Sequence, residues 1–316
     1  MGKTRIAVIG VGYMGRFHAE KLAASAAAEL VAVVDADAAR AAQFGAALGC
    51  EHATDYRAVL PPHFSGLDAA CVAVPTEQHH EVVRACLEAG VHVLVEKPLA
   101  RTLAEADALL ELARAKGLVL QVGHLQRFNP AFQALAAAGG RPLFIDIERL
   151  APFKGRGADV DVVLDLMIHD LDLALALARA PVEQVSACGF CVLTEAVDIA
   201  NARIEFADGC IANVSASRVS QSAVRKLRVF RHDGYVSADL QGQRLRHARK
   251  GAAGSDTGIE ESEQVFDRVD ELRAQAEDFL RAVRERGAPL VSGEQGRAAL
   301  ALAQKIGALI AERLAR

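Results

Sequence analysis

Short apolar runs separated by stretches of helical composition fill the first part of the chain. Ile6 to Ile9, Leu30 to Val34, Ala69 to Val74, Val91 to Val95 and Val119 to Val122 are rich in β-branched side chains, as strands buried on both faces are. Between them, Gly15 to Leu22, Ala38 to Leu48, Glu81 to Glu88 and Leu103 to Lys116 carry good helix formers at helical spacing. Strand–helix alternation of this kind predicts a doubly wound parallel sheet over residues 1–123.

The pattern changes after Gly123. One apolar helix, Val162 to Leu177, precedes strand-like runs at Val185 to Leu193, Ala200 to Phe206, Ile211 to Ala216, Leu227 to Arg231 and Tyr235 to Asp239. In Ala200 to Phe206 the apolar residues alternate, which suits a sheet with only one face covered. The small polar stretch Gly251 to Gly258 reads as a loop. Two helices, Glu271 to Arg286 and Glu294 to Leu314, close the chain, with Ser292 and Gln295 spaced as a capping box. Residues 124–316 are therefore expected to form a second α/β domain, with an open-faced, mainly antiparallel sheet for substrate binding and oligomerisation.

A chain of 316 residues fits two domains. Its formal net charge of −4 gives no general attraction for nucleic acid or an anionic membrane, so neither is an expected partner. No charge-free apolar stretch has membrane-spanning length. The 6 cysteines are scattered, as in a protein of the reducing cytosol, and a first strand starting at Arg5 leaves no room for a cleavable leader. Cytoplasmic residence is the expectation. Cys188 and Cys191 have C-x-x-C spacing, but an offset of three in a strand sends the thiols to opposite faces, which favours packing over redox or zinc chemistry.

The turn after the first strand carries the clearest chemistry. Gly10-Val11-Gly12-Tyr13-Met14-Gly15 follows a strand and opens a helix, and Asp35 ends the second strand. In a dinucleotide site Gly10 makes the tight turn, Gly12 lets backbone approach the pyrophosphate, and Gly15 allows close helix–strand packing. The helix N-terminus faces the phosphates. Asp35 then accepts from the ribose 2′-hydroxyl of NAD and repels the 2′-phosphate of NADP. The expected cofactor is NAD.

Two further groups could carry catalysis. Glu96-Lys97-Pro98 follows a strand at the carboxyl edge of the sheet, where a lysine can hydrogen-bond a substrate hydroxyl; an ordinary surface lysine is the alternative. Asp161, Asp165 and His169 recur every four residues in an otherwise apolar helix and share one stripe. Burying that stripe requires a cavity or internal partners, or else His169 is a satisfied core histidine. No third ligand accompanies the Asp–His pair, so no metal is expected.

Together these residues resemble the glucose-fructose oxidoreductase/inositol dehydrogenase/MocA-type family. The resemblance rests on Gly10, Gly12, Gly15 and His18, on Pro75-Thr76-Glu77-Gln78-His79, on Ala89 to Ala100 around Glu96-Lys97-Pro98, on Asp165 and His169, and on Val291-Ser292-Gly293-Glu294. It implies that Lys97 and His169 act on the substrate hydroxyl, that Asp165 orients them, and that the Lys97–Pro98 peptide is cis. The cofactor set it implies is Gly10, Gly12, Tyr13, Met14, Gly15, Asp35, Pro75, Thr76, His79, Glu96 and Lys97. Gly123 to Ala131 and Arg149 to Gly157 are similar, more narrowly, to the UDP-N-acetylglucosamine 3-dehydrogenase branch, which oxidises a UDP-linked amino sugar ahead of an aminotransferase in routes to diaminosugar lipid A. Arg127, Asn129, Arg149, Lys154 and Arg156, with Lys97, Asp165 and His169, are then the substrate set, the cations serving a diphosphate. A solvated basic loop is the alternative for those cations.

The sequence thus reads as an NAD-dependent dehydrogenase of the C3 hydroxyl of UDP-N-acetylglucosamine, assembled as a homo-dimer or tetramer. Alternatives are a family member acting on a free cyclitol or sugar, and a non-catalytic dinucleotide-binding regulator.

Overall fold

The computed structural model describes residues 2–153, 160–251 and 258–316. They fall into two compact units, Met1–Leu125 with Asp270–Ala298, and Gln126–Val269 with Ala299–Arg316.

In the first unit β1 (Thr4–Ile9), α1 (Tyr13–Ala23), β2 (Ala28–Val34), α2 (Ala38–Leu48), β3 (Glu51–Ala53), β4 (Ala69–Val72), α3 (Thr76–Glu88), β5 (His92–Val95), α4 (Leu103–Lys116) and β6 (Leu120–Val122) follow one another. The strands lie in the order β3-β2-β1-β4-β5-β6, and every pairing is parallel. This is the doubly wound sheet that the sequence predicts. Successive residues Ile6, Ala7 and Val8 are all fully buried, so both faces are covered, which explains the unbroken apolar runs. Winding reverses between β1 and β4, so the ligand crevice belongs at their carboxyl ends.

In the second unit the elements are α5 (Pro130–Ala137), β7 (Phe144–Leu150), α6 (Ile168–Ala178), β8 (Val182–Phe190), β9 (Ile199–Phe206), β10 (Ile211–Ser217), β11 (Val224–Arg231), β12 (Gly234–Asp239), β13 (Arg244–Lys250) and β14 (Ile259–Val265). Two helices follow, α7 (Glu271–Glu285) and α8 (Gly293–Leu314). The second sheet runs β14-β13-β12-β11-β7-β10-β9-β8, antiparallel throughout except for the parallel pair β7–β10. Its inward residues, among them Ile145, Ile147, Ile204, Val214 and Leu227, pack with Phe132 and Leu135 of α5, Leu171 of α6 and Ile306 of α8. Alternate residues of β9 point the other way and are exposed, as the periodicity predicts.

The structure corrects one stretch of the domain assignment. Residues 270–298 return to the first unit, because α7 buries Ala276, Phe279 and Leu280 in one cluster with Ile6, Val8, Leu22 and Cys71. The Ser292–Gln295 capping box is present, with the Ser292 N–H donating to the Gln295 side chain at 2.9 Å and the Gln295 N–H donating to Ser292 Oγ at 3.4 Å. β3, β7, β13 and β14 are strands that the sequence reading does not predict. β14 is exposed along its whole length and is tied to β13 by the ion pairs Arg246–Glu263 and Arg249–Glu260, so it carries no apolar signal. Cys188 lies within β8 and Cys191 just beyond its end, both as free thiols. Most of the expected loop Gly251 to Gly258 lies outside the described residues.

Among the described residues, no helix is long and apolar enough to cross a membrane.

Candidate active site

The glycine turn is built for a nucleotide. Gly10 adopts a φ of 88°, and a Cβ there would lie 2.7 Å from the Ala73 carbonyl oxygen. A Cβ on Gly15 would lie 1.7 Å from the Gly10 oxygen, so α1 can approach β1 only with glycine at that position. Gly12 differs: a Cβ there would meet no protein atom within 4 Å. Protein packing therefore does not require that glycine, whereas close approach of a pyrophosphate does. No side chain caps α1, which leaves its first N–H groups to an anion. Tyr13 and Met14 form its first turn, with Tyr13 exposed and stacked under Arg16. Pro75 and Thr76 open α3, on the other side of the switch point.

Asp35 is buried and already engaged. Its Oδ2 accepts from the Val11 N–H at 3.0 Å, its Oδ1 from the Asp37 N–H at 3.0 Å, and Arg40 Nη1 reaches both oxygens at 3.2 and 3.3 Å. A carboxylate has about four acceptor directions, and these contacts occupy all of them, so a ribose hydroxyl takes the place of Arg40 on Asp35. Asp35→Ser is expected to lower the ratio of NAD to NADP affinity at least tenfold, since Arg40 is then free to meet a 2′-phosphate. Fluorescence titration with each nucleotide checks this, and an unchanged ratio would show that Asp35 does not face the ribose.

Around Lys97 the chain is held by two buried histidines. His18 Nε2 lies 2.7 Å from Glu96 Oε1, and His79 places Nδ1 2.7 Å from the Pro98 carbonyl and Nε2 3.0 Å from the Val74 carbonyl. The Lys97–Pro98 peptide is cis. These contacts correct the cofactor assignment of His79: its ring is buried and ties the β4 edge to the lysine loop. Burial pushes the His79 imidazole down. For His18 burial acts in the same direction, but the neighbouring Cys71 sulfur and the Glu96 carboxylate outweigh it and raise the imidazole to about 10. Burial would raise the Glu96 carboxyl, but His18 and then Lys97 hold it below its ordinary value.

A histidine raised from 6.5 to about 10 lends stability that is fully present below 6.5 and lost as pH rises through about 10. Urea unfolding of the wild type and of His18→Gln is accordingly expected to converge as pH climbs through that window. A constant gap would contradict a cationic His18.

In the second unit the segment before α6 is a π turn, Val163–Met167. Such turns are rare and cluster at functional sites. The wider turn still carries Asp165 and His169 at the start of α6, while Asp161 caps it by accepting from the Val163 N–H at 2.8 Å. Burial pushes the Asp161 carboxyl up, against the opposing pull of Val163 and Arg218. Arg218 anchors this segment from behind. It donates to the Val160 and Val197 carbonyls and pairs with buried Asp198 at 3.1 Å. Burial would raise the Asp198 carboxyl, but the N–H groups of Val192, Leu193 and Thr194 at 2.7–2.9 Å hold it far below the usual range. Among the described residues, no three His, Cys, Asp or Glu side chains converge as a metal would require.

The substrate cations need correction. Arg149 is buried and forms a two-pronged pair with Asp170, at 2.8 and 2.7 Å, and Arg127 pairs with buried Asp172 at 3.3 Å. Each guanidinium neutralises an aspartate of α6, so neither offers uncompensated charge to a diphosphate. Asn129 is fully buried as the N-cap of α5, accepting from the Ala131 and Phe132 N–H groups and donating to the Leu240 carbonyl. Lys154 and Arg156 lie outside the described residues. Part of the signal was present in the sequence, since Asp170 and Asp172 interrupt an otherwise apolar helix, but nothing in the spacing names their partners. The Arg218–Asp198 and His18–Glu96 pairs join residues too far apart in the chain for spacing to reveal.

Comparison with known proteins agrees with this architecture. Residues 4–124 match the oxidoreductase family with an NAD-binding Rossmann fold, and residues 146–237 match the GFO/IDH/MocA C-terminal domain. A UDP-N-acetylglucosamine 3-dehydrogenase of Acidithiobacillus ferrooxidans is 40% identical over 305 residues, covering 96% of both proteins. A solved structure of that enzyme from the same organism matches with a TM-score of 0.90, at 39% identity over 98% of each chain. A myo-inositol 2-dehydrogenase of Thermotoga maritima is 30% identical over 321 residues, 94% of this chain and 93% of that protein. The chain belongs to the glucose-fructose oxidoreductase/inositol dehydrogenase/MocA-type family. It is an oxidoreductase, and NAD is its cofactor.

Proposed function

We propose that this enzyme oxidises the C3 hydroxyl of UDP-N-acetylglucosamine to the 3-keto sugar. The observation that carries the reading is the 40% identity to a UDP-N-acetylglucosamine 3-dehydrogenase, sustained over 96% of the chain. In this reading His169 accepts the hydroxyl proton, Lys97 hydrogen-bonds the same oxygen, and Asp165 orients the histidine. NAD, when bound, supplies the hydride acceptor. Gly10, Gly12, Gly15 and the first turn of α1 hold its pyrophosphate, and Asp35 its adenosine ribose. With Arg127 and Arg149 engaged by aspartates, the diphosphate falls to Lys154 and Arg156.

The resulting ketone suits condensation with an amine donor, so an aminotransferase acting next, in synthesis of a diaminosugar lipid A, is part of the proposal. So are residence in the cytoplasm and assembly into a homo-dimer or tetramer through the exposed face of the second sheet. A second reading, oxidation of a free cyclitol, is favoured by the 30% identity to a myo-inositol 2-dehydrogenase.

Proton NMR of the sugar product tests the reading. Loss of the C3 proton signal, with the anomeric UDP linkage intact, is expected. Oxidation at any other carbon would refute it.

A further inference from the structure

On the second sheet, the face turned away from the core carries the polar residues that alternate with buried ones. Lys226 of β11 precedes buried Leu227, Asp239 of β12 follows buried Ala238, and Arg244 of β13 precedes buried Leu245. Strand register sets Asp239 between the two cations, opposite Lys226 on one side and Arg244 on the other, and sets Glu148 of β7 opposite Lys226 from the far side. Rows of this kind close readily into cross-strand ion pairs. The adjacent row does so: Arg228 pairs with Asp146 and reaches Glu148 at 3.7 Å, and Arg246 pairs with Glu263 at 3.1 Å.

Lys226 and Arg244 are left out of this pairing. Asp239 is turned into its own loop, where Oδ1 accepts from the Gln241 and Gly242 N–H groups at 3.0 and 2.9 Å, and Oδ2 lies so close to Gly242 that a Cβ there would come within 2.5 Å. Glu148 is drawn to Arg228. Among the described residues, the side chains of Lys226, Arg244 and Arg268 form no ion pair. All three line one cavity of about 640 Å³, around which five cations, Arg225 and Arg246 included, face two carboxylates, Asp239 and Glu263. The chain as a whole has a formal charge of −4, so this excess of positive charge is local.

A concave cluster of cations concentrates an anionic ligand, and guanidinium forks with an ammonium suit phosphate oxygens. A single phosphate carries at most about two negative charges, fewer than three cations balance. We propose that Lys226, Arg244 and Arg268 form a binding site for a diphosphate-bearing anion, either free pyrophosphate or a nucleoside diphosphate. None of the three belongs to the dehydrogenase chemistry of Lys97 and His169 or to the dinucleotide elements, so this ligand is an additional one.

The probe is pyrophosphate, titrated by calorimetry into the full-length enzyme already saturated with NAD, so that the dinucleotide site is filled. Saturable binding is expected with a dissociation constant below about 1 mM, weakening steeply as ionic strength rises past about 0.15 M. Combining Lys226→Met with Arg244→Met is expected to weaken it at least about tenfold. Turnover, KM and Tm are expected to stay at wild-type values, because both side chains are exposed. Binding of equal strength in the double variant overturns the proposal, as does the absence of saturable binding in the wild type.

Valine-methyl NMR locates the ligand. Val224 lines the cavity, and its methyl signals are expected to move with pyrophosphate in step with the calorimetric saturation; an unmoved Val224 overturns the proposal. Inorganic phosphate binding as tightly as pyrophosphate would overturn the diphosphate as the recognised group. Uridine diphosphate separates the two sources: a Val224 shift that saturates at lower concentration than with pyrophosphate identifies a nucleoside diphosphate, and one that saturates at equal or higher concentration identifies the free diphosphate.

Discussion

Replacing His169 or Lys97 with alanine is expected to lower turnover by roughly two to four orders of magnitude, the loss associated with a positioned acid–base group. Both residues are proposed to act on one hydroxyl as it loses its proton, so each interaction strengthens toward the transition state, and its removal lowers kcat rather than only raising KM. NAD affinity is expected to change little, because the nucleotide elements are the glycine turn, the first turn of α1 and Asp35. The π turn adds a structural reason for the size of the His169 effect. Its start is fixed by Arg218, Asp198 and the Asp161 cap, so no neighbouring side chain can shift easily to take over the role. Steady-state kinetics with parallel nucleotide titrations check both variants, and near-normal turnover in either would remove that residue from the mechanism.

Arg149→Met is expected to destabilise the second unit by about 3–5 kcal/mol, the cost of leaving one partner of a buried ion pair without the other. Asp170 is 1% exposed and has both oxygens on the Arg149 guanidinium, so methionine strands a carboxylate among apolar neighbours. The double variant Arg149→Met, Asp170→Leu is expected to recover most of that loss, since a buried pair replaced by apolar groups is often close to neutral. Urea unfolding of the two variants decides it. If Arg149→Met unfolded like wild type, with a raised KM for the nucleotide sugar, the arginine would be a substrate cation after all.

How much of this was legible in the sequence depends on whether the determining interactions are local. All strands of the first sheet but β3 were legible because burial makes their runs apolar, as in Ile6 to Ile9, whereas the short edge strand β3 is largely exposed and carries no such signal. β9 was legible because one face alone is buried. β13 and β14 were not, since cross-strand ion pairs rather than burial hold β14 in place. The glycine turn could be read position by position, and the open space at Gly12 is what separates a ligand-approach glycine from the packing glycine at position 15. The four-residue recurrence of Asp161, Asp165 and His169 was visible, but the π turn was not, because a change of backbone hydrogen-bond register over one turn leaves no mark on side-chain spacing. Residues such as Arg127, Asn129, Arg149 and His79 looked available because the sequence does not show what covers them. The fold covers each and gives it an internal partner.

Initial rates of NADH formation distinguish a nucleotide sugar from an unlinked sugar or cyclitol as the substrate. With NAD in excess and each compound at one common subsaturating concentration, UDP-N-acetylglucosamine is compared with free N-acetylglucosamine and myo-inositol. UDP-N-acetylglucosamine is expected to be oxidised at least a hundredfold faster than either, about 3 kcal/mol of transition-state binding drawn from the UDP group. Oxidation of myo-inositol at an equal or greater rate would contradict it.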